Sequence, residues 1–103
     1  MIRASVYYPS GEGEFDMDYY LNSHIPLVER LMAPYGLLKV EVDQGIGGGR
    51  PGEPAPFVAV AQMVFNSMEE LQNASEAHDS DLAADVKNFT EIEPFFQVSE
   101  IVK

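Results

Sequence analysis

Met17-Asp18-Tyr19-Tyr20-Leu21-Asn22-Ser23-His24-Ile25-Pro26-Leu27-Val28-Glu29-Arg30-Leu31-Met32 decides how this chain folds. At roughly 3.6 residues per turn, Met17, Tyr20, Leu21, Leu27, Val28 and Leu31 fall on one side of a helix, with His24 at the middle of that side. Asp16 and Asp18 stand in the first turn, where carboxylates favour the positive end of the helix dipole. The pattern ends at about Met32, ahead of Pro34 and Gly36. Pro26 removes one backbone hydrogen bond and crowds the carbonyl of Asn22, which predicts a kink close to His24.

Strands flank this helix. Ile2 to Tyr8 alternates, with Ile2, Ala4, Val6 and Tyr8 on one face, and stops at Pro9-Ser10-Gly11. Leu38, Val40 and Val42 alternate with charged residues, as in a strand with one wet face. Gly45 to Pro56 is too rich in glycine and proline for regular structure and is expected to be a loop. Phe57 to Phe65 is almost unbroken apolar sequence, which predicts a strand covered on both faces. Ser67-Met68-Glu69-Glu70 fits a capping box. Met68, Leu71, Ala74, His78 and Leu82 mark the inner side of the second helix, and Asp79-Ser80-Asp81 is a point where it could restart as a separate short helix. Phe95 to Val102 supplies a last strand.

The order strand, helix, strand, strand, helix, strand predicts one α+β domain over residues 1–103. Its expected form is ferredoxin-like βαββαβ, with an antiparallel sheet and both helices on one face. The double-sided Phe57–Phe65 strand leaves apolar surface on the other face. Burying a few hundred Å² of it is worth on the order of 10 kcal/mol before the cost of association, so a symmetric homodimer is expected.

Composition excludes several function classes. Seventeen acidic against 6 basic residues give a formal charge of -11, a surface that repels phosphate backbones and anionic lipid. No nucleic-acid or membrane partner is expected. The absence of cysteine rules out disulfides, thiolate nucleophiles and cysteine-ligated metals. The N-terminal residues read as a strand, not a signal peptide, and no run reaches the roughly 20 apolar residues of a membrane span. A soluble cytoplasmic protein is the expectation.

Phe15-Asp16-Met17-Asp18-Tyr19-Tyr20-Leu21-Asn22-Ser23-His24-Ile25-Pro26-Leu27, the Gly/Pro loop ahead of Phe57, and Asn88-Phe89-Thr90-Glu91-Ile92-Glu93-Pro94 together resemble the EthD family, named for ethyl tert-butyl ether degradation. The resemblance runs over the whole chain. It implies a dimeric α/β barrel, in which two sheets pack face to face and each subunit keeps a pocket between its helices and sheet. Barrels of this kind include cofactor-independent quinone-forming monooxygenases, muconolactone isomerases and haem-binding chlorite dismutases. The resemblance implies that His24 is a pocket residue and leaves His78 unassigned.

Imidazole is the side chain that ordinarily titrates nearest to neutral pH, which makes His24 a candidate general acid or base; the alternative is a core histidine bonded to the freed carbonyl of Asn22. Tyr20, one turn away, is placed either to donate to a substrate oxygen or to pack as a core aromatic. Tyr19 points nearly opposite, toward solvent, a loop or a partner. His78 either converges with His24 on one cavity or belongs to a solvated helix end. A metal would need a carboxylate completing a two-histidine set, for which Asp81 is the convenient choice, but no close-spaced ligand motif supports one. The glycines at 45–49 do not open a helix and lack the Walker lysine, so no nucleotide loop is expected. Tyr8, Phe65, Phe96 and Met63 supply bulky lining for a small hydrophobic ligand.

The leading expectation is an enzyme without cofactor or metal, acting on a small hydrophobic, oxygenated organic compound. His24, with Tyr20 and His78 as further catalytic candidates, would run proton-transfer chemistry such as isomerisation, decarboxylation or oxygenation. The alternatives are a non-catalytic binding or accessory protein, and a structural dimer with both histidines satisfied in its core.

Overall fold

The alternation of Ile2, Ala4, Val6 and Tyr8 sets the register of the whole sheet. In the computed structural model, which describes residues 1–103, β1 (Ile2–Pro9) pairs antiparallel with both β3 (Phe57–Phe65) and β4 (Phe95–Glu100). β2 (Lys39–Gln44) adds to the far side of β3, giving the order β2-β3-β1-β4. With two helical arms between the strands, this is the ferredoxin-like βαββαβ arrangement. Ala4 lies opposite Met63 and Val98, Val6 opposite Ala61 and Phe96, and Tyr8 opposite Ala59. Because side chains alternate across a strand, these residues share the face that the helices cover. Val58, Val60 and Gln62 point to the opposite face and are half-buried. The unbroken apolar run of β3 thus predicts more cover than one copy of the chain provides.

The first helical arm is built in pieces. Asp16 caps it, its carboxylate accepting from the Tyr19 amide at 3.0 Å, so Asp16 precedes the first turn and only Asp18 stands within it. A short α1 (Met17–Tyr19) passes into a π-helical turn, Tyr20–His24, and then into α2 (Ile25–Met32). The π turn closes with the Ile25 amide on the Tyr20 carbonyl. Pro26 explains it: the proline cannot donate to Asn22, and the widened turn absorbs the ring where a regular helix would clash. The expected kink is therefore a π turn. Gly36, at φ 102°, ends the arm in the left-handed region. Burial runs along Tyr20, His24, Val28 and Met32, while Leu21 is 47% exposed and so lies off the predicted inner side.

α3 (Met68–Val86) is a single helix, capped by Ser67, whose hydroxyl accepts from the Glu70 amide at 3.2 Å. It does not restart at Asp79-Ser80-Asp81; a few poor helix formers cost tenths of a kcal/mol each, which packing against the sheet overrides. Met68 points outward, and Leu71 and Ala74 form the buried side. Two clusters make the core: one around Tyr8, Tyr20, Phe89 and Ile92, the other around Val28, Met32, Phe65 and Leu71.

Candidate functional site

Where the two clusters meet, the helices stand off the sheet and leave a cavity of ≈ 660 Å³. Sixteen of its 23 lining residues are hydrophobic, drawn from β1, β3, α2, α3 and β4. This is the apolar, largely preformed hollow in which small molecules are usually held.

His24 lines this cavity as the last residue of the π turn. An i→i+5 turn brings residues four apart closer to eclipse than an α turn does. Tyr20 and His24 accordingly stack, with ring centroids 5.4 Å apart and planes 16° from parallel. Phe89 closes on the imidazole from another side at 4.7 Å. Phe89 is held by a short bridge between Phe15 and Thr90, and its carbonyl accepts from the Asp16 amide at 2.8 Å. The Thr90 hydroxyl donates to the Glu14 carbonyl at 2.6 Å and accepts from the Ile92 amide at 3.1 Å. The Asn88–Pro94 segment thereby closes one end of the cavity.

The buried imidazole bonds to a side chain, not to the Asn22 carbonyl. His24 Nδ1 lies 2.9 Å from Asp85 Oδ2, near the end of α3, and both side chains are largely buried (7% and 14% exposed). The Tyr19 hydroxyl donates to Asp85 Oδ1 at 2.7 Å, and Asn88 Nδ2 donates to the same oxygen at 2.9 Å. Burial by itself would raise the Asp85 pKa, but the bonds from His24, Asn88 and Tyr19 outweigh it and hold the carboxyl below its usual range. An ionised carboxylate only accepts, so Nδ1 carries a proton, and in the neutral ring the lone pair is on Nε2. Nε2 has no partner within the chain and is not sealed from solvent.

Two phenols accompany it. Tyr8 and Tyr20 both line the cavity, with rings edge to face at 5.8 Å. Burial pushes the Tyr8 hydroxyl up to about 12, the contact with Tyr20 pulling it partly back. Tyr20 is raised further, by burial first and then by the Tyr8 hydroxyl beside it. Both stay protonated at neutral pH and keep a hydroxyl proton to donate.

Met63 and Phe96 also line the cavity, Phe96 from the open side, where it is 74% exposed. Phe65 does not; it is fully buried in the second core cluster. His78 stands apart as well, bonded to Asp81 at 3.0 Å and edge-on to Tyr35. No three His, Asp or Glu side chains are grouped so as to hold a metal ion. No helix is long and apolar enough to cross a membrane. Asp85, Tyr19 and Asn88 escape sequence reasoning: Asp85 is 61 residues from His24, on a helix crowded with other acids.

Residues 11–93 match the family model described as the EthD domain. An EthD-like protein from Ralstonia eutropha JMP134 superposes with a TM-score of 0.91 at 31% identity, over 99% of this chain and 92% of that one. A dimeric ferredoxin-like protein from an uncultured marine organism gives 0.63 at 13% identity, over 100% and 96%. SnoaB, a cofactor-independent oxygenase from Streptomyces nogalater, gives 0.62 at 10% identity, over 99% and 92%. The last two are similar in fold alone. No curated protein matches the chain.

Proposed function

The chain belongs to the EthD family, and from that premise we propose that it is an enzyme that moves a proton on a small hydrophobic, oxygenated organic compound. The observation that carries this reading is the Asp85–His24 pair at 2.9 Å, set against the wall of an apolar cavity. The carboxylate fixes the imidazole tautomer and steadies the imidazolium once a proton arrives, the task an acid performs behind a catalytic histidine elsewhere. Nε2 takes a proton from an acidic O–H or C–H of the bound compound. The electron pair left behind collects on a substrate oxygen, and the Tyr20 and Tyr8 hydroxyls donate to it. His24 then returns the proton at a second position, or the carbanion expels a hydroxyl from the adjacent carbon as water, with the imidazolium supplying the proton, or it meets oxygen. Isomerisation, dehydration and oxygenation share this first step. SnoaB, similar in fold, is itself described as a cofactor-independent oxygenase.

Deuterium exchange tests the proposal without knowledge of the product. Small oxygenated aromatics that bind are incubated in D₂O with the protein and with His24→Asn, and label uptake at carbon is read by mass spectrometry. Uptake that depends on His24 is the expected result. Bound compounds that exchange equally with both proteins overturn it and leave a carrier.

A homodimer belongs to the same proposal. Phe95 of β4 is 63% exposed in a single copy, on the face away from the helices, and the half-buried Arg3 of that face has its Nε buried without a partner. A second sheet packed on the open face supplies cover and acceptors, and a ferredoxin-like neighbour is itself dimeric. Sedimentation at micromolar concentration is expected to give twice the 11.4 kDa chain mass, and a monomer contradicts it.

A further inference from the structure

The charges around the cavity are as one-sided as those of the whole chain. None of the chain's 6 Lys and Arg residues lines it, whereas Asp79 and Glu93 do, on walls provided by α3 and by the segment entering β4. A carboxylate or phosphate ester entering this hollow meets two anions and no cation, and apolar walls leave little water to screen them.

Apart from Ser5, Glu93, Gln97 and the two phenols, the polar lining groups fall into two places. His24, backed by Asp85, marks one end. Ser75 and Asp79, one turn apart on α3, mark the other, the hydroxyl standing beside a carboxylate whose pKa is raised by burial. Asp79 and Asp85 are six residues apart, about 9 Å along the helix axis at 1.5 Å per residue. Leu82, Ala83 and Val86 lie on the wall nearby and offer only apolar contact. A carboxylate in such a place gains from a hydroxyl donor and loses from a second anion.

Resting on the cavity reading above, we infer that the ligand is a neutral, ring-built molecule of bicyclic length or more with a hydroxyl at each end. One hydroxyl sits at His24 and the other at Ser75–Asp79, and carboxylate congeners are rejected. Asp79 and Glu93 act as specificity residues and take no part in proton transfer.

Calorimetric titration with three probes of one skeleton tests this near neutral pH, where phenols are neutral and carboxylic acids ionised. The probes are 2,6-dihydroxynaphthalene, 2-naphthol and 6-hydroxy-2-naphthoate. The diol is expected to bind about threefold or more tighter than 2-naphthol, and the naphthoate about tenfold or more weaker than the diol. The naphthoate deficit should shrink at high salt, and again in the Asp79→Asn, Glu93→Gln double variant. Naphthoate binding that equals the diol overturns the inference, as does a deficit that neither salt nor the double variant relieves; both leave the cavity reading standing. If neither the diol nor 2-naphthol binds, the cavity reading itself fails and takes this inference with it.

Discussion

Replacing Asp85 by Asn exchanges one carboxylate oxygen for an amide group and should invert the imidazole it holds. The carboxylate accepts from His24 Nδ1 at 2.9 Å and from Tyr19 and Asn88 at 2.7 and 2.9 Å. In Asp85→Asn the remaining oxygen can still accept from Tyr19. The new amide donates toward Nδ1, which drives the histidine proton onto Nε2 and removes the base. Loss of charge assistance in this largely buried network costs about 2 kcal/mol, a fall in Tm of about 8–16 °C for a domain of this size. Because the folded Asp85 pKa is depressed, its stabilisation is in force above the unfolded value and fades as pH falls through the folded value. The gap in Tm between wild type and Asp85→Asn should therefore narrow below about pH 4. Turnover of any substrate found by exchange should drop by about a hundredfold or more, the usual share of a general base. Thermal melts across pH and the side-chain ¹⁵N shifts of His24 read these effects together. A variant with unchanged Tm, or one whose His24 still carries its proton on Nδ1, refutes the reasoning.

Three further outcomes follow from the same network. Tyr19→Phe deletes the 2.7 Å bond to Asp85, so the Asp85 pKa should rise in an NMR titration and the Tm should fall. Phe89→Ala empties the ring that packs on Tyr8, Phe15, Tyr20 and His24; urea unfolding should register a loss of about 3–5 kcal/mol. His78→Ala lies off the cavity wall and should leave the affinity for 2-naphthol unchanged by calorimetry.

Much of the fold was legible because it rests on local pattern. Alternation in Ile2–Tyr8 gave β1 and its inward face, and the Gly/Pro run at 45–56 gave the long connection to β3. His24 and Tyr20 fell on the inner side because their spacing survives the change from an α to a π turn. Leu21 did not, since the π turn re-aims the residues around it. The partner of His24 was not legible. α3 carries Glu69, Glu70, Glu76, Asp79, Asp81 and Asp85, and its apolar stripe is too faint to say which acid turns inward. Only the crossing of α3 over the π turn singles out Asp85, and that is a property of tertiary packing. Helical spacing turns Tyr19 nearly opposite the inner side; in the fold it packs on Phe89 and shares Asp85 with His24, because the π turn re-aims it.

The central claim is that a lone pair on His24 Nε2 faces a hollow that takes an apolar, oxygenated ligand. A long-range ¹H–¹⁵N spectrum of the wild-type protein at about pH 9, above the usual imidazole range, reads it directly during addition of 2-naphthol. An unprotonated Nε2 that shifts with ligand saturation, while both His78 nitrogens stay still, is the expected result. A proton found on Nε2 in the free protein, or an Nε2 that does not move as the ligand saturates, contradicts it.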